Sequence, residues 1–202
     1  MTSPKRPLTS LVSTVEAALD GGVSLVQFRD KGQYSDPERQ DACSAMKELC
    51  HRRNVPLLVN DDPQLAKRLA ADGVHVGRDD PSPRIARALL GPGALVGVTV
   101  YGKPGEEQSA EAAGADYLGI GPFFPSPTKP QEPEFPLHLL DLVVRRTRLP
   151  VFAIGGITPE RARQLARHGI AGVAVVSAIM DAPDPRHAAE ELRDAFEKGR
   201  SA

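Results

Sequence analysis

The sequence predicts an α/β fold, a (β/α)8 barrel in which seven of the eight strands can be identified. Short runs rich in Val, Ile and Leu recur along the 202 residues, and amphipathic segments separate most of them. Strands that alternate with helices of this size are typical of βαβ units and a parallel sheet. The runs are apolar almost throughout, so we expect the sheet to be covered on both faces.

Seven strand candidates recur along the chain. They lie at 22–28, 55–60, 73–77, 94–100, 117–121, 149–156 and 171–176. Helices are expected at 36–51, 63–70 and 159–168, where Asp36, Asp62 and Thr158 each precede a Pro and are expected to cap a helix. A further helix at 8–19 comes before the first of these strands. The first barrel strand is therefore expected to be absent from this chain.

An open doubly wound sheet is the alternative arrangement of the same elements. A dinucleotide-binding sheet of that kind would show GxGxxG after its first strand, and the sequence has no such motif. Polar residues follow many of the strands rather than one switch point. Both observations favour the barrel, which we expect to be a single domain over residues 1–202.

Composition restricts the classes of partner. The net charge is −1 and no basic stripe with interleaved aromatic residues occurs, so nucleic acid is not an expected partner. No run approaches the ~18 apolar residues of a membrane-spanning helix, and the first ten residues do not resemble a secretory signal. Cys43 and Cys50 lie seven residues apart in a predicted helix, about 10 Å along its axis, which is too far for a disulfide. We expect reduced thiols and a cytoplasmic protein.

Polar side chains follow the predicted strands where a barrel enzyme places its active site, at the carboxyl ends. In VQFRDK (26–31), strand alternation would put Gln27, Arg29 and Lys31 on one face. The later strand ends supply further polar residues, glycines and a valine in a turn: Asn60, Asp61, Asp80, Thr99, Ser126, Thr128, Lys129, Gly155, Gly156, Val176 and Ser177. His75 lies inside a strand and is expected to be a hydrogen-bonded barrel residue.

These groups support three kinds of chemistry. Arg29, Lys31 and Lys129 could bind phosphate, Arg through a bidentate fork and Lys as a point charge. Asp61 and Asp80 are hard oxygen ligands of the kind Mg²⁺ takes together with water and substrate phosphate. The 155–156 and 176–177 turns could direct backbone N–H groups at a second anion. Each feature alone is common at strand ends and helix caps, but their collection at one barrel end favours a site.

The motifs VQFRDK, LLVNDD, ADGVHVGRDD, GVTVYG, GADYLGIGPFFPSPTK, VFAIGGIT and GVAVVSAI occur in this order. From about Leu8 to Met180 the chain resembles the thiamine phosphate synthase family. The resemblance implies a transferase that joins hydroxymethylpyrimidine diphosphate to a thiazole phosphate, giving thiamine phosphate and pyrophosphate. It also implies a dissociative reaction in which Mg²⁺ assists departure of pyrophosphate before the thiazole nitrogen attacks.

The resemblance assigns roles to individual residues. The pyrimidine diphosphate would be held by Gln27, Arg29, Lys31, Asn60, Thr99 and Lys129, and the catalytic cations would be Arg29, Lys31 and Lys129. Mg²⁺ would be bound by Asp61 and Asp80. The thiazole phosphate would contact Ser126, Thr128, Gly156, Val176 and Ser177. Two departures add bulk or charge at this site, since Thr99 stands where the family usually has Ser and Arg78 where Gln is usual.

Two other functions remain open at this point. A thiazole tautomerase belongs to the same superfamily but tends to lose parts of the diphosphate and metal set, which this sequence retains. A truncated barrel could also bind a thiazole phosphate without turnover. The expected partners are small molecules, with neither nucleic acid nor membrane, and the chain could form a homo-oligomer.

Overall fold

The computed structural model describes residues 1–2, 6–125 and 133–202. Seven strands alternate with helices along the described chain. The strands are β1 (Val26–Phe28), β2 (Leu57–Asn60), β3 (Gly73–Val76), β4 (Leu95–Val100), β5 (Tyr117–Ile120), β6 (Val151–Ile154) and β7 (Gly172–Ala174). The helices are α1 (Leu8–Asp20), α2 (Asp36–Arg52), α3 (Pro63–Arg68), α4 (Pro83–Leu90), α5 (Glu106–Ala112), α6 (Leu140–Arg146), α7 (Pro159–Ala166), α8 (Ser177–Met180) and α9 (Pro185–Arg200), with a 3-10 turn at Leu137–Leu139 before α6.

The sheet is parallel throughout, and its strands lie side by side in chain order from β1 to β7. A doubly wound sheet would reverse its order at a switch point. The sequential order therefore confirms the barrel arrangement and excludes the open alternative. The structure also confirms all seven predicted strands, each one shorter than its apolar run, with only three residues in β1 and in β7.

The two outer strands, β1 and β7, are not paired with each other in the part of the chain that the structure describes. Between them lie the first two residues. The Met1 amine donates a hydrogen bond to the Val175 carbonyl (2.9 Å), and the Thr2 N–H donates to the Gln27 carbonyl (2.9 Å). The Thr2 side chain also exchanges hydrogen bonds with the Arg29 backbone. The sheet is thus a curled seven-stranded barrel with a gap on one side.

Apolar side chains fill the space between the sheet and the surrounding helices. Phe28, Leu57 and Val59 on the strands are at most 1% exposed, as are Met46 and Leu65 on α2 and α3. Burying a side chain of this size contributes about 1.5–3 kcal/mol. This continuous core fixes the strand ends relative to one another, and the strand ends carry the polar residues.

Helix boundaries agree with the sequence signals except at α2. Asp62 and Thr158 cap α3 and α7 as predicted, each accepting a hydrogen bond from a backbone N–H of the first turn. The prediction of Asp36 as the cap of α2 was wrong by one residue. Ser35 is the cap, because Ser35 and Glu38 form a reciprocal capping box that holds the first turn from both sides.

Two further features of the helices concern the cysteines and the membrane. Cys43 and Cys50, both on α2, are free thiols and are fully buried. Within the described ranges, every helix is too short or too polar to cross a bilayer.

Candidate functional site

A cavity of about 1050 Å³ opens at the carboxyl ends of the strands. Side chains from the ends of all seven strands line it, and it continues into the gap between β1 and β7. In barrel enzymes the active site lies at this end. The predicted site residues that the structure describes line the same cavity: Gln27, Arg29, Lys31, Asn60, Asp61, Asp80, Thr99, Gly156, Val176 and Ser177.

Two buried donors at the end of β1 have no hydrogen-bond partner among the described residues. Gln27 is 4% exposed and Arg29 is 7% exposed, yet Nε2 of Gln27 and Nη1 of Arg29 are unpaired. Burial also lowers the pKa of Arg29, and the charges of Asp61 and Asp30 oppose that shift. Unpaired buried donors are rare and costly in folded proteins, so these two groups indicate a place where a ligand supplies acceptors.

Arg39 explains why Nη1 of Arg29 is unpaired among the described residues. Asp30 is buried and its carboxylate lies 3.2 Å from Nε of Arg39, an ion pair without hydrogen-bond alignment. Arg39 also donates to the Asp62 carboxylate at 3.1 Å. Arg39 therefore ties the ends of β1 and β2 together and engages Asp30, which leaves Nη1 of Arg29 available to the cavity.

Lys31 lines the same cavity, but it does so from a turn and not through the strand alternation that the sequence predicted. Strand β1 ends at Phe28, so strand alternation does not extend to Lys31. Lys31 instead has a left-handed backbone (φ 51°) and lies in the turn after the strand. Its Nζ donates to Oδ2 of Asp61 at 2.7 Å. Lys31 therefore lines the cavity, and its position comes from this turn rather than from strand alternation.

Asp61 and Asp80 lie within hydrogen-bonding distance of each other at the ends of β2 and β3. Burial opposes ionisation of Asp61, but hydrogen bonds from Lys31 and Asp80 outweigh it and lower its pKa. Burial and the Asp61 charge raise the pKa of Asp80, against the effect of a hydrogen bond from the Gly77 N–H. Two carboxyls this close resist simultaneous ionisation, so the charge on Asp61 makes ionisation of Asp80 harder.

The donor set suits a divalent cation. A cation bound by hard carboxylate oxygens of both residues would offset their mutual repulsion, and Mg²⁺ is usually held by one or two carboxylates with water and substrate phosphate. No cluster of three or more carboxylate, Cys or His ligands occurs in residues 1–2, 6–125 and 133–202. The described residues therefore fit a cation shared with a phosphorylated substrate better than an ion enclosed by protein.

The floor of the cavity contains a chain of three hydrogen-bonding side chains. Nε2 of His75 lies 2.7 Å from Oγ1 of Thr99, and Nδ1 of His75 lies 2.8 Å from Oη of Tyr117. Gly97 makes room for the tyrosine ring, since a Cβ there would lie 2.1 Å from Cζ of Tyr117. The prediction that His75 is a hydrogen-bonded barrel residue is confirmed, and Asn60 lies next to it across the β2–β3 pairing.

The ends of β6 and β7 form the opposite wall. Gly155 and Gly156 have positive φ (92° and 61°), and a Cβ on Gly156 would lie 2.5 Å from the Pro125 carbonyl oxygen. The Gly156 carbonyl accepts a hydrogen bond from Arg161 (2.6 Å). Val176 precedes α8 and Ser177 begins it. The double glycine is therefore required by close packing, and the turn presents backbone groups to the cavity.

Three predicted site residues lie outside the described residues: Ser126, Thr128 and Lys129. The structure adds others that the sequence did not single out. Tyr117 lies beneath Thr99, and Arg161 supports the glycine turn. Arg78 was noted only as an additional cation, and its guanidinium stacks on the Tyr101 ring at 4.0 Å. Period-two alternation in YLGIG could have placed Tyr117 inside the barrel, but no local signal pairs it with His75.

Cations, a carboxylate pair and glycine-rich turns at the carboxyl end of a parallel barrel define a class, namely barrel enzymes that bind phosphorylated small molecules. Comparison with known proteins gives the particular family. The sequence profile described as thiamine monophosphate synthase matches residues 1–179. The chain belongs to this family.

Individual relatives agree with that assignment. The thiamine-phosphate synthase of Thiobacillus denitrificans is 49% identical over 92% of this chain and 88% of its own length. That of Nitrosococcus oceani is 41% identical over 94% of this chain and 87% of its own length. The solved structure of a thiamine phosphate pyrophosphorylase from Pyrococcus furiosus superposes with a TM-score of 0.86 at 34% identity, covering 98% of this chain and 95% of that one.

Proposed function

We propose that this protein is a thiamine-phosphate synthase. It joins 4-amino-2-methyl-5-hydroxymethylpyrimidine diphosphate to 4-methyl-5-(2-phosphoethyl)thiazole and releases pyrophosphate. The family match and the named relatives support the activity. The observation on this chain that carries the proposal is the pair of buried, unpartnered donors on Gln27 and Arg29, which face the cavity beside a carboxylate pair.

The reaction needs charge stabilisation rather than proton transfer. The bond between the pyrimidine methylene carbon and the diphosphate oxygen breaks, and its electron pair leaves with pyrophosphate. The thiazole nitrogen then donates its lone pair to the carbon, so no proton has to be removed. Arg29 and Lys31 stabilise the negative charge that develops on the departing oxygen, and Lys129 is proposed to join them. Gln27, Asn60 and Thr99 hold the pyrimidine.

We propose Mg²⁺ as the cofactor, with Asp61 and Asp80 as its protein ligands. When bound, the metal supplies positive charge that neutralises the diphosphate. Lys31 holds the Asp61 carboxylate in place through the 2.7 Å hydrogen bond.

The thiazole phosphate is proposed to bind at the opposite wall. Gly156, Val176 and Ser177 present backbone and hydroxyl groups there, and Ser126 and Thr128 are proposed to complete the site. Two separate anion positions on one cavity are consistent with two phosphorylated reactants.

The direct test incubates the purified protein with both precursors and Mg²⁺ and measures thiamine phosphate by chromatography. Formation of thiamine phosphate and an equal amount of pyrophosphate is expected. A folded protein that forms no product would refute the proposal. Interconversion of thiazole tautomers without condensation would support a tautomerase, and thiazole phosphate binding with no turnover of any kind would support a non-catalytic barrel.

The separation of the two anion positions has its own test. Asp61→Ala is expected to lower turnover at least about a thousandfold, because it removes a metal ligand and the partner of Lys31. Thiazole phosphate affinity measured by calorimetry should stay within about twofold, since the change lies at the other wall. Asp79→Ala, an exposed carboxylate in the next loop, is the matched control and should retain activity. Loss of thiazole phosphate binding in Asp61→Ala would show that the positions are not independent.

We also propose a cellular compartment and an oligomeric state. Phosphorylated precursors and two buried free thiols suit a cytoplasmic enzyme, and a homo-oligomer is proposed without assigning its interface. Sedimentation of the purified protein would measure the oligomeric state.

A further inference from the structure

A chain of hydrogen bonds runs from Tyr117 through His75 to Thr99. All three side chains line the cavity, and the two heavy-atom distances, 2.8 Å and 2.7 Å, are those of well-formed bonds. Each hydroxyl can donate or accept, and a neutral imidazole has one donor and one acceptor nitrogen. The chain therefore has two possible directions, and they present different groups to a ligand.

In one direction the tyrosine hydroxyl donates to Nδ1 of His75, and Nε2–H donates to Oγ1 of Thr99. The Thr99 hydroxyl hydrogen is then directed at the cavity, and Thr99 acts as a donor to the ligand. In the reverse direction Thr99 donates to Nε2, and Nδ1–H donates to the tyrosine. The ligand then meets only a lone pair on Thr99.

The chemistry of the groups favours the first direction. A phenol, with an ordinary pKa of about 10, is a stronger hydrogen-bond donor than an aliphatic alcohol, and an imidazole nitrogen is a strong acceptor. An alcohol oxygen also accepts better than a phenol oxygen. Burial raises the pKa of Tyr117, so its hydroxyl keeps its proton and stays available as a donor.

Packing keeps this arrangement in one geometry. Gly97 leaves the space that the tyrosine ring occupies, and Phe152 packs edge-on against the same ring at 5.4 Å between centroids. On the other side, a Cβ on Gly119 would lie 3.2 Å from Cε1 of His75, so Gly119 leaves the space that the imidazole occupies. Glycines on neighbouring strands therefore make room for both rings, and the two hydrogen bonds and Phe152 hold them in position.

We infer that Tyr117 and His75 are positioning residues. Tyr117 holds His75 as the Nε2–H tautomer, and His75 thereby fixes Thr99 as a hydrogen-bond donor to an acceptor atom of the bound substrate. The substrate class follows from the proposed function, on which this step rests: Thr99 would donate to a ring nitrogen or diphosphate oxygen of the pyrimidine substrate. The tautomer itself depends only on the protein.

The first experiment therefore uses the free protein. Long-range ¹H–¹⁵N correlation spectra of histidine-labelled protein distinguish the two imidazole tautomers, and His75→Gln identifies the His75 signals among the five histidines. An unprotonated Nδ1 and a protonated Nε2 are expected for His75. The Nδ1–H tautomer would overturn the inference. This result does not depend on substrate, so it stands apart from any failure of the proposed activity.

The second experiment asks whether the direction matters for binding. Tyr117→Phe is expected to weaken pyrimidine diphosphate binding about fivefold by calorimetry, the effect of about one hydrogen bond, with a smaller change in kcat. In a Thr99→Val background the same change should cost at most about 1.5-fold, because there is no hydroxyl to orient. An equal loss in both backgrounds would refute the positioning role, since a structural effect of Tyr117 would persist without Thr99.

Discussion

Replacing Arg29 with Met is expected to make the protein more stable and inactive at the same time. Arg29 is 7% exposed, and its Nη1 has no partner in the described chain. An unsatisfied buried donor costs about 1–3 kcal/mol, and Met fills most of the space of the arginine stem. The variant loses attraction to Asp61, but Asp61 retains its hydrogen bond from Lys31. The net expectation is a gain of about 1 kcal/mol in the free energy of unfolding.

A matched change at the neighbouring arginine should have the opposite sign. Arg39 pairs with Asp30, which is 5% exposed, and with Asp62. Arg39→Met leaves the Asp30 carboxylate buried without its partner, and breaking a buried pair costs about 3–5 kcal/mol. The two variants remove the same side chain from two positions near Asp30, so their difference isolates whether the charge is satisfied within the protein.

Urea unfolding followed by circular dichroism measures both variants. With a slope of about 2 kcal/mol per molar, Arg29→Met should raise the midpoint by about 0.5 M without changing the slope, and Arg39→Met should lower it by more than about 1 M. Thiamine phosphate formation should be lost in Arg29→Met. The reasoning would be refuted if Arg29→Met lowered stability by 1 kcal/mol or more, since Arg29 would then be a structural residue with a compensated charge.

Three further changes test other parts of the structure. Burial raises the pKa of the Cys43 thiol to about 12 from 9.0, so its contribution to stability is complete below pH 9 and is lost as pH rises toward 12. Raising the pH to 10 should lower the unfolding free energy of the unsubstituted protein by about 1 kcal/mol more than that of Cys43→Ala. Ellman's reagent should not label Cys43 before unfolding. Gly97→Ala should lower stability by about 1–3 kcal/mol in a melting experiment because its Cβ meets Tyr117, whereas Gly93→Ala, with open space, should cost less than about 0.5 kcal/mol. Arg78→Gln should raise the KM for the diphosphate about threefold at low salt and have no effect at 0.5 M salt, as expected for an exposed cation.

Sequence patterns determined most of the architecture because their causes are local. Apolar runs of four to eight residues between amphipathic helical segments are typical of buried strands, and residues such as Thr158 before Pro159 begin a helix through their own hydrogen bond. Polar residues directly after those runs had to lie at the carboxyl edge of a parallel sheet. Asp61 and Asp80 could therefore be placed together, and the structure has them within hydrogen-bonding distance.

Tertiary structure decided what these residues do to one another. Lys31 lies outside strand β1, and only the left-handed turn brings its Nζ to Asp61. The pairing of His75 with Tyr117 joins residues 42 positions apart, so no local pattern could reveal it. The same is true of burial at Arg29, where packing from several elements leaves a charged group with an unpaired donor. The sequence by itself determined the barrel order and which residues reach its mouth, because strand and cap formation depend on near neighbours. The pKa shifts, the unpaired donors and the direction of the hydrogen bonds depend on atoms brought together from distant parts of the chain. Only the tertiary structure therefore decides them.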